Sequence, residues 1–278
     1  MKKSILFIFA FSLFQFSLLA QNRPPQSQFK GEEVFKNDDV VFHKIDDHTW
    51  VGNGHLSANE SIYLIEGNDK AVLLDGGTKI TDLDKIVASI TSKPVTLMLT
   101  HVHPDHVGAA NYFPEVYMNP GDKESAKQMM PNYKGEFKYL KDGQIIDLGG
   151  RQLEVVFTPA HTMGSTSYID KDAGYGFSGD SFGSGNLLLF AGTFSDLIAT
   201  CEKMSAIMKK DGIRFLYLGH YFGGNPETQQ RIDDMITLSK DVLSGKEKGE
   251  DTEGNRFGFN HIITKYGVRI NYGDKALK

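Results

Sequence analysis

Between Val40 and Leu218 the chain is built from short apolar runs, most of them closed by glycine or by a polar cluster. Ser61–Ile65, Ala71–Leu74, Val95–Leu99, Glu115–Met118, Gln144–Leu148, Gln152–Phe157, Ser167–Asp170, Gly174–Ser178 and Phe215–Leu218 predict strands. Val40 to Val51 carries a β-like pattern with a turn near Asp46-Asp47. Helical spacing replaces it in three places. Leu83, Ile86, Val87 and Ile90 predict a helix over Thr81–Thr91. Phe194, Leu197, Ile198, Cys201, Met204, Ile207 and Met208 line one face of a helix over Thr193–Lys210. A third is expected to be capped by Asn225, opened by Pro226 and to end near Leu243. A short helix is expected over Gly121–Met130. Strands alternating with helices indicate an α/β layered fold.

Between these elements, Gly52–Asn59 reads as a flap loop and Phe182–Gly192 as an apolar, Gly-rich lid. Pro131–Asp142 reads as irregular, its aromatics Tyr133, Phe137 and Tyr139 as packing residues. Gly245–Arg256 is polar, and the tail from Phe257 is expected to add a strand.

The N-terminus follows a different pattern. Lys2 and Lys3 precede an apolar run from Ile5 to Leu19, and Ala20 is a small residue suited to cleavage. Residues 1–20 therefore read as a signal peptide, 21–39 as a flexible leader and 40–278 as one domain. Export to a periplasm or beyond is the expected localisation, with no stable membrane association after cleavage.

Composition narrows the partners. The 278 residues carry a formal net charge of −5 without a basic block, which disfavours nucleic acid and leaves a small-molecule substrate as the expected partner. The sequence carries no signal for an oligomeric state. The single cysteine, Cys201, excludes an internal disulfide and, lying on a helix face, offers no thiolate to a metal.

One stretch stands apart. Thr100-His-Val-His-Pro-Asp-His106 packs three imidazoles and a carboxylate into six residues directly after a predicted strand. His161, Asp180 and His220 likewise each follow a predicted strand, so the layered fold is expected to bring all of them to one crevice. Imidazoles and carboxylates suit Zn²⁺, with Fe or Mn as rivals. A pair of such ions lowers the pKa of bound water and polarises a carbonyl. His43, His48, His55 and His261 lack partners in sequence, His55 being the best exception.

The run H-x-H-x-D-H, then His161, Gly179-Asp180 and Gly219-His220, with Asp75-Gly76 after an earlier strand, resembles the metallo-β-lactamase superfamily over roughly Val40 to Tyr221. The resemblance implies an αββα sandwich, two mixed sheets flanked by helices, with a site for two Zn²⁺ at one edge. It implies that His101, His103 and His161 hold the first metal and Asp105, His106 and His220 the second. Asp180 would bridge them, and Asp75 would orient a ligand.

The implied activity is hydrolysis of an ester, thioester or lactone by a metal-bound hydroxide, with Asp105 orienting the nucleophile. Tyr221 and Ser181 are candidate oxyanion or leaving-group donors. Asp180-Ser181 also fits an alignment with β-lactamases that place a serine beside an unbridged metal pair, so a class B β-lactamase is the first rival. A metal-binding periplasmic protein without catalysis is the second.

Overall fold

The computed structural model describes residues 29–56, 58–221, 223–253 and 257–278, so the expected signal peptide and most of the leader lie outside the described residues. The first sheet has eight strands in chain order: β1 (Glu33–Lys36), β2 (Val40–Asp46), β3 (Thr49–Gly54), β4 (Ser61–Glu66), β5 (Ala71–Leu74), β6 (Val95–Met98), β7 (Glu115–Met118) and β8 (Glu136–Tyr139). Its first five strands pair antiparallel and its last four run parallel. Helices α1 (Leu83–Ile90), α2 (Pro104–Val107) and α3 (Lys123–Met129) belong to its crossovers.

The second sheet contains β9 (Ile145–Asp147), β10 (Gln152–Phe157), β11 (Thr166–Asp170), β12 (Tyr175–Gly179), β14 (Phe215–Leu218) and β15 (Glu227–Thr228). A third, smaller sheet joins β13 (Leu187–Leu189) to β16 (Glu250–Asp251), β17 (His261–Lys265) and β18 (Val268–Tyr272). Helices α4 (Phe194–Asp211) and α5 (Gln229–Leu243) complete the chain's main elements.

Alternation along the strands makes the layers. In β4, Ile62 and Leu64 join the core under α1, while Tyr63 and Ile65 join the core between the two large sheets. β5 repeats this split, with Ala71 and Leu73 against Val72 and Leu74. Across the gap, Leu153, Val155, Tyr168 and Phe177 of the second sheet meet the same central core. Its other face, through Val156, Ile169 and Leu216, packs on α4, α5 and the third sheet. Both large sheets are buried on both faces, which is why their strands read as continuous apolar runs. The order is helix, sheet, sheet, helix, the expected α/β sandwich of two mixed sheets, with the third sheet as an addition. Truncating a residue such as Leu64, fully buried in this packing, to alanine costs about 2–5 kcal/mol.

Several expectations are corrected. The leader is not wholly irregular, because Glu33–Lys36 pairs with β2 as an edge strand. Glu136–Tyr139, expected to be irregular, is the parallel edge strand β8. The last helix is capped by Thr228, whose hydroxyl accepts Arg231 N–H, and not by Asn225. The expected lid contains β13, held parallel to β18. Thr193, in contrast, starts α4 as expected, through a reciprocal capping box with Asp196.

Candidate metal centre

The ligands converge because strands of both large sheets end at the same edge. β6 ends at Met98 and delivers His101 and His103 just before α2, and Asp105 and His106 inside it. β10 ends at Phe157 and leads to His161, β12 leads to Asp180, and β14 leads to His220. Glycine permits the last two approaches. Gly179 has φ 51°, and a side chain there would run into Thr100, while one on Gly219 would run into Asp180.

Three overlapping ligand sets result: His101, His103 and His161; His101, His106 and Asp180; and Asp105, His106 and His220. Within each set the ligand atoms lie within 4.8 Å of one another. His103 Nδ1 is 3.1 Å from His101 Nε2 and 2.9 Å from His161 Nε2. Asp180 Oδ2 sits amid the others, 3.8 Å from His106 Nε2, 3.8 Å from His161 Nε2 and 3.2 Å from His220 Nε2. Asp105 Oδ2 is 3.8 Å from His106 Nε2 and 3.6 Å from His220 Nε2.

The outer faces of the imidazoles explain the inner ones. His106 Nδ1–H donates to Asp75 Oδ2 at 2.8 Å, His161 Nδ1–H to the Leu188 carbonyl at 2.7 Å, and His220 Nδ1–H to the Ala58 carbonyl at 2.9 Å. Thr100 gives its hydroxyl proton to Asp75 Oδ2 at 2.7 Å, so its oxygen accepts His101 Nδ1–H at 3.1 Å. Each of these four rings therefore turns an Nε2 lone pair inward, the tautomer a metal ligand requires. His106 Nε2 and Asp180 Oδ1 are buried without a hydrogen-bond partner among the described residues. A pocket of inward lone pairs and carboxylate oxygens with buried unpartnered atoms fits divalent cations and nothing apolar.

Charge divides the site. Burial holds His161 down to about pKa 4, against the pull of Asp180. Burial and the neighbouring His106 also push His101 well below the ordinary range and lower His103. This trio is neutral and ready to bind metal at neutral pH. On the other side burial opposes charge on His106 and His220, but carboxylates win. Asp75 and Asp180 hold His106 well above its ordinary value, and Asp180 raises His220 to about 9. Asp180 is itself held well below the carboxylate range, against its burial, by His220 and His106. The carboxylate side thus attracts positive charge, which divalent cations supply in place of those protons.

All seven candidate ligands lie in this cluster, and Asp75 lies behind His106 and Thr100. The two candidate donors do not. Ser181 is buried with its hydroxyl 2.8 Å from that of Thr158, in a chain that continues to Ser167. Tyr221 packs its ring on Tyr217 in the core between the sheets, 5.1 Å between centroids. His43, His48, His55 and His261 stay outside the cluster; the His55 ring meets the Asp38 carbonyl at 3.0 Å.

Other contributors gave no signal in sequence: the Thr100 hydroxyl, the Ala58 and Leu188 carbonyls and the Asp122 carboxylate. The buried Asp122 carboxylate accepts Val102 N–H, the Thr162 hydroxyl and Gly164 N–H at 2.8–2.9 Å, binding the two histidine loops together. An N-x-x-D step after β7 is the only trace of it, and it reads equally as a helix start.

Comparison with known proteins agrees with this geometry. The sequence model of the metallo-β-lactamase superfamily matches residues 58–244. Human acyl-coenzyme A thioesterase MBLAC2 is 26% identical over 202 residues, covering 58% of this chain and 72% of that protein, and the chicken protein is 23% identical over 199 residues. A metallo-β-lactamase structure from Erythrobacter litoralis superposes with a TM-score of 0.60 at 18% identity, covering 74% of this chain and 99% of that one. One from Pontibacter korlensis gives 0.54 at 18% identity, covering 72% and 99%. With two large mixed sheets, ligands at their shared edge and a matching family model, the chain belongs to the metallo-β-lactamase superfamily and is a metal-dependent hydrolase.

Proposed function

We propose that the chain is an exported hydrolase with two metal ions that cleaves an acyl ester, thioester or lactone. The observation that carries this reading is Asp180: its Oδ2 lies 3.2–3.8 Å from the Nε2 atoms of His106, His161 and His220, between the two ligand groups. His101, His103 and His161 would hold one ion, Asp105, His106 and His220 the other, with Asp180 shared. Zn²⁺ suits this donor set, and Fe or Mn would also be accepted. When bound, the ions supply Lewis acidity toward the carbonyl and a water acidified toward neutrality.

The chain's own groups do the rest. Asp105, partly open to solvent, presents its carboxylate beside His220. It accepts a hydrogen bond from the attacking water and orients it toward the carbonyl carbon. The hydrogen bonds of Asp75, Thr100, Leu188 and Ala58 fix the rings before substrate arrives, so little reorganisation accompanies reaction. A cavity of about 250 Å³ lined by Ala58, Ser184, Asn186, Leu188, His161, Asp180 and His220 admits the substrate.

The similarity to acyl-coenzyme A thioesterases supports a thioester among the acyl substrates. The burial of the Ser181 hydroxyl against Thr158 weakens the β-lactamase alignment that would place it beside the metals. Export rests on the N-terminal sequence pattern. The test is a panel of acyl-coenzyme A thioesters, nitrophenyl esters, lactones and nitrocefin on metal-reconstituted protein, with Asp180→Ala alongside. Thioester, ester or lactone turnover with loss of one metal in Asp180→Ala is expected. Nitrocefin turnover alone would establish the β-lactamase, and two bound metals with no turnover would leave a binding protein.

A further inference from the structure

The third sheet carries aromatic surface to the first ligand trio. Phe190, just after β13, sets its ring edge-on to His103 and His161, with centroids 5.0 and 5.3 Å apart. Phe259 and Phe257 close on the same ring at 4.8 and 5.6 Å. Beside them opens a cavity of about 460 Å³, lined on its apolar part by Leu189, Phe190, Phe257, Phe259 and Ala276 and elsewhere by Asn260 and the exposed Asp274 and Lys275. That volume falls in the ~300–1,000 Å³ range of small-molecule sites. Phe190 and Phe257 are 38% and 46% exposed, a cluster of aromatic surface next to a charged centre.

We propose that this cavity receives the apolar acyl chain of the substrate and that Phe190 sets chain-length specificity. The inference rests on the acyl-hydrolase reading above. A substrate carbonyl held between the two ligand groups has two exits. One is the cavity lined by Ala58 and Leu188 together with Ser184 and Asn186, whose polar side chains can meet a polar leaving group. The other runs along Phe190, whose ring touches His103 and His161 and also lines the aromatic cavity; there Phe190, Phe257 and Phe259 offer apolar wall to a methylene chain, and Asn260, Asp274 and Lys275 line the remainder. The acyl part therefore lies on the third-sheet side and the leaving group on the side of His220.

Binding of the carboxylate product tests this without turnover. Metal-loaded protein is titrated calorimetrically with sodium acetate, hexanoate and decanoate. Each methylene fully buried contributes about fourfold in affinity, the equivalent of ~0.8 kcal/mol. Affinity is expected to rise at least tenfold from acetate to decanoate. Phe257→Ala is expected to lower decanoate affinity at least fivefold and leave acetate affinity and metal content unchanged, and Phe190→Ala, whose ring also packs on His103 and His161, is expected to lower decanoate affinity at least as much. Phe257→Ala serves because its ring packs on Phe190, one step removed from the ligand histidines. Affinity independent of chain length, or decanoate binding unchanged in both variants, overturns the proposal. If chain-length dependence holds while no ester, thioester or lactone is cleaved, the cavity stands and the acyl-hydrolase reading falls. If turnover is found without chain-length dependence, the acyl-hydrolase reading stands and the cavity has no part in it.

Discussion

Asp122 Oδ2 accepts the backbone N–H of Val102 at 2.9 Å, and Val102 is the residue between the metal-type histidines His101 and His103. The same oxygen accepts the Thr162 hydroxyl at 2.9 Å, one residue beyond His161, and Oδ1 accepts Gly164 N–H at 2.8 Å. One buried carboxylate thus ties together the two loops, from different sheets, that supply the first ligand trio. A side chain on Gly164 would collide with it.

Asp122→Asn keeps the volume and removes one acceptor. Its single carbonyl oxygen cannot serve both Gly164 and the Val102–Thr162 pair, so the loops lose their fixed spacing. Affinity for the metal held by His101, His103 and His161 is expected to fall about 10–100-fold, the usual loss when a partner behind the ligands is removed. Stepwise zinc titration and the absorption of the cobalt-substituted protein would read this. A variant with an altered melting temperature but unchanged metal affinity would reduce Asp122 to a stabilising role.

Asp75→Asn should act on the other ion. Asp75 stands at φ 67°, a left-handed conformation that asparagine also adopts, so the backbone turn is retained. Its carboxylate accepts Thr100 N–H, the Thr100 hydroxyl and His106 Nδ1–H at 2.7–2.8 Å. An amide nitrogen at the Oδ2 position would face two donors, and His106 would lose its enforced tautomer. Binding of the second ion and turnover are both expected to drop about 10–100-fold. Full retention of two metals per chain with unchanged turnover would show that His106 keeps its tautomer without the Asp75 carboxylate.

How legible this was in the sequence differed by physical cause. The ligands were readable because their spacing is local: His101 to His106 fall within six residues, and His161, Asp180 and His220 each follow an apolar run that could only be a strand. The long buried strands were readable because burial on both faces leaves them uniformly apolar. β8 and β1 were not, since four-residue edge strands are defined by backbone pairing with a neighbour and their side chains stay half-exposed. Of the third sheet only the strand expected in the tail was legible, because β13 and β16 take their partners from the chain's end. Ser181 was a candidate through the alignment that sets a serine beside an unbridged metal pair, but it lies in the turn after β12 and its hydroxyl turns to Thr158. Asp122 and Phe190 gave no pattern, because their role is set by distant loops folding onto them.

Away from the metals, Glu227 makes stability depend on pH. It is fully buried in the short β15 just before α5. Arg231 Nε donates to its Oε1 at 3.0 Å, while Oε2 is buried without a partner among the described residues. Burial raises its pKa from 4.5 to about 7, against the opposing pull of Arg231. Between about pH 4.5 and 7 the folded chain therefore holds a proton that the unfolded chain releases. The free energy of unfolding falls as pH rises through that window, and the loss is complete above about pH 7. Its ceiling is on the order of 3 kcal/mol, from about 1.4 kcal/mol per unit. Glu227→Gln keeps an oxygen for Arg231 and cannot ionise. It is expected to be more stable than the parent at pH 8 by about 1–3 kcal/mol and nearly equal to it at pH 4.5. Urea denaturation of both proteins at pH 4.5, 6 and 8, at fixed metal loading, gives the difference directly. Parallel pH dependence in the two proteins would show that Glu227 stays ionised in the folded chain and that Arg231 outweighs its burial.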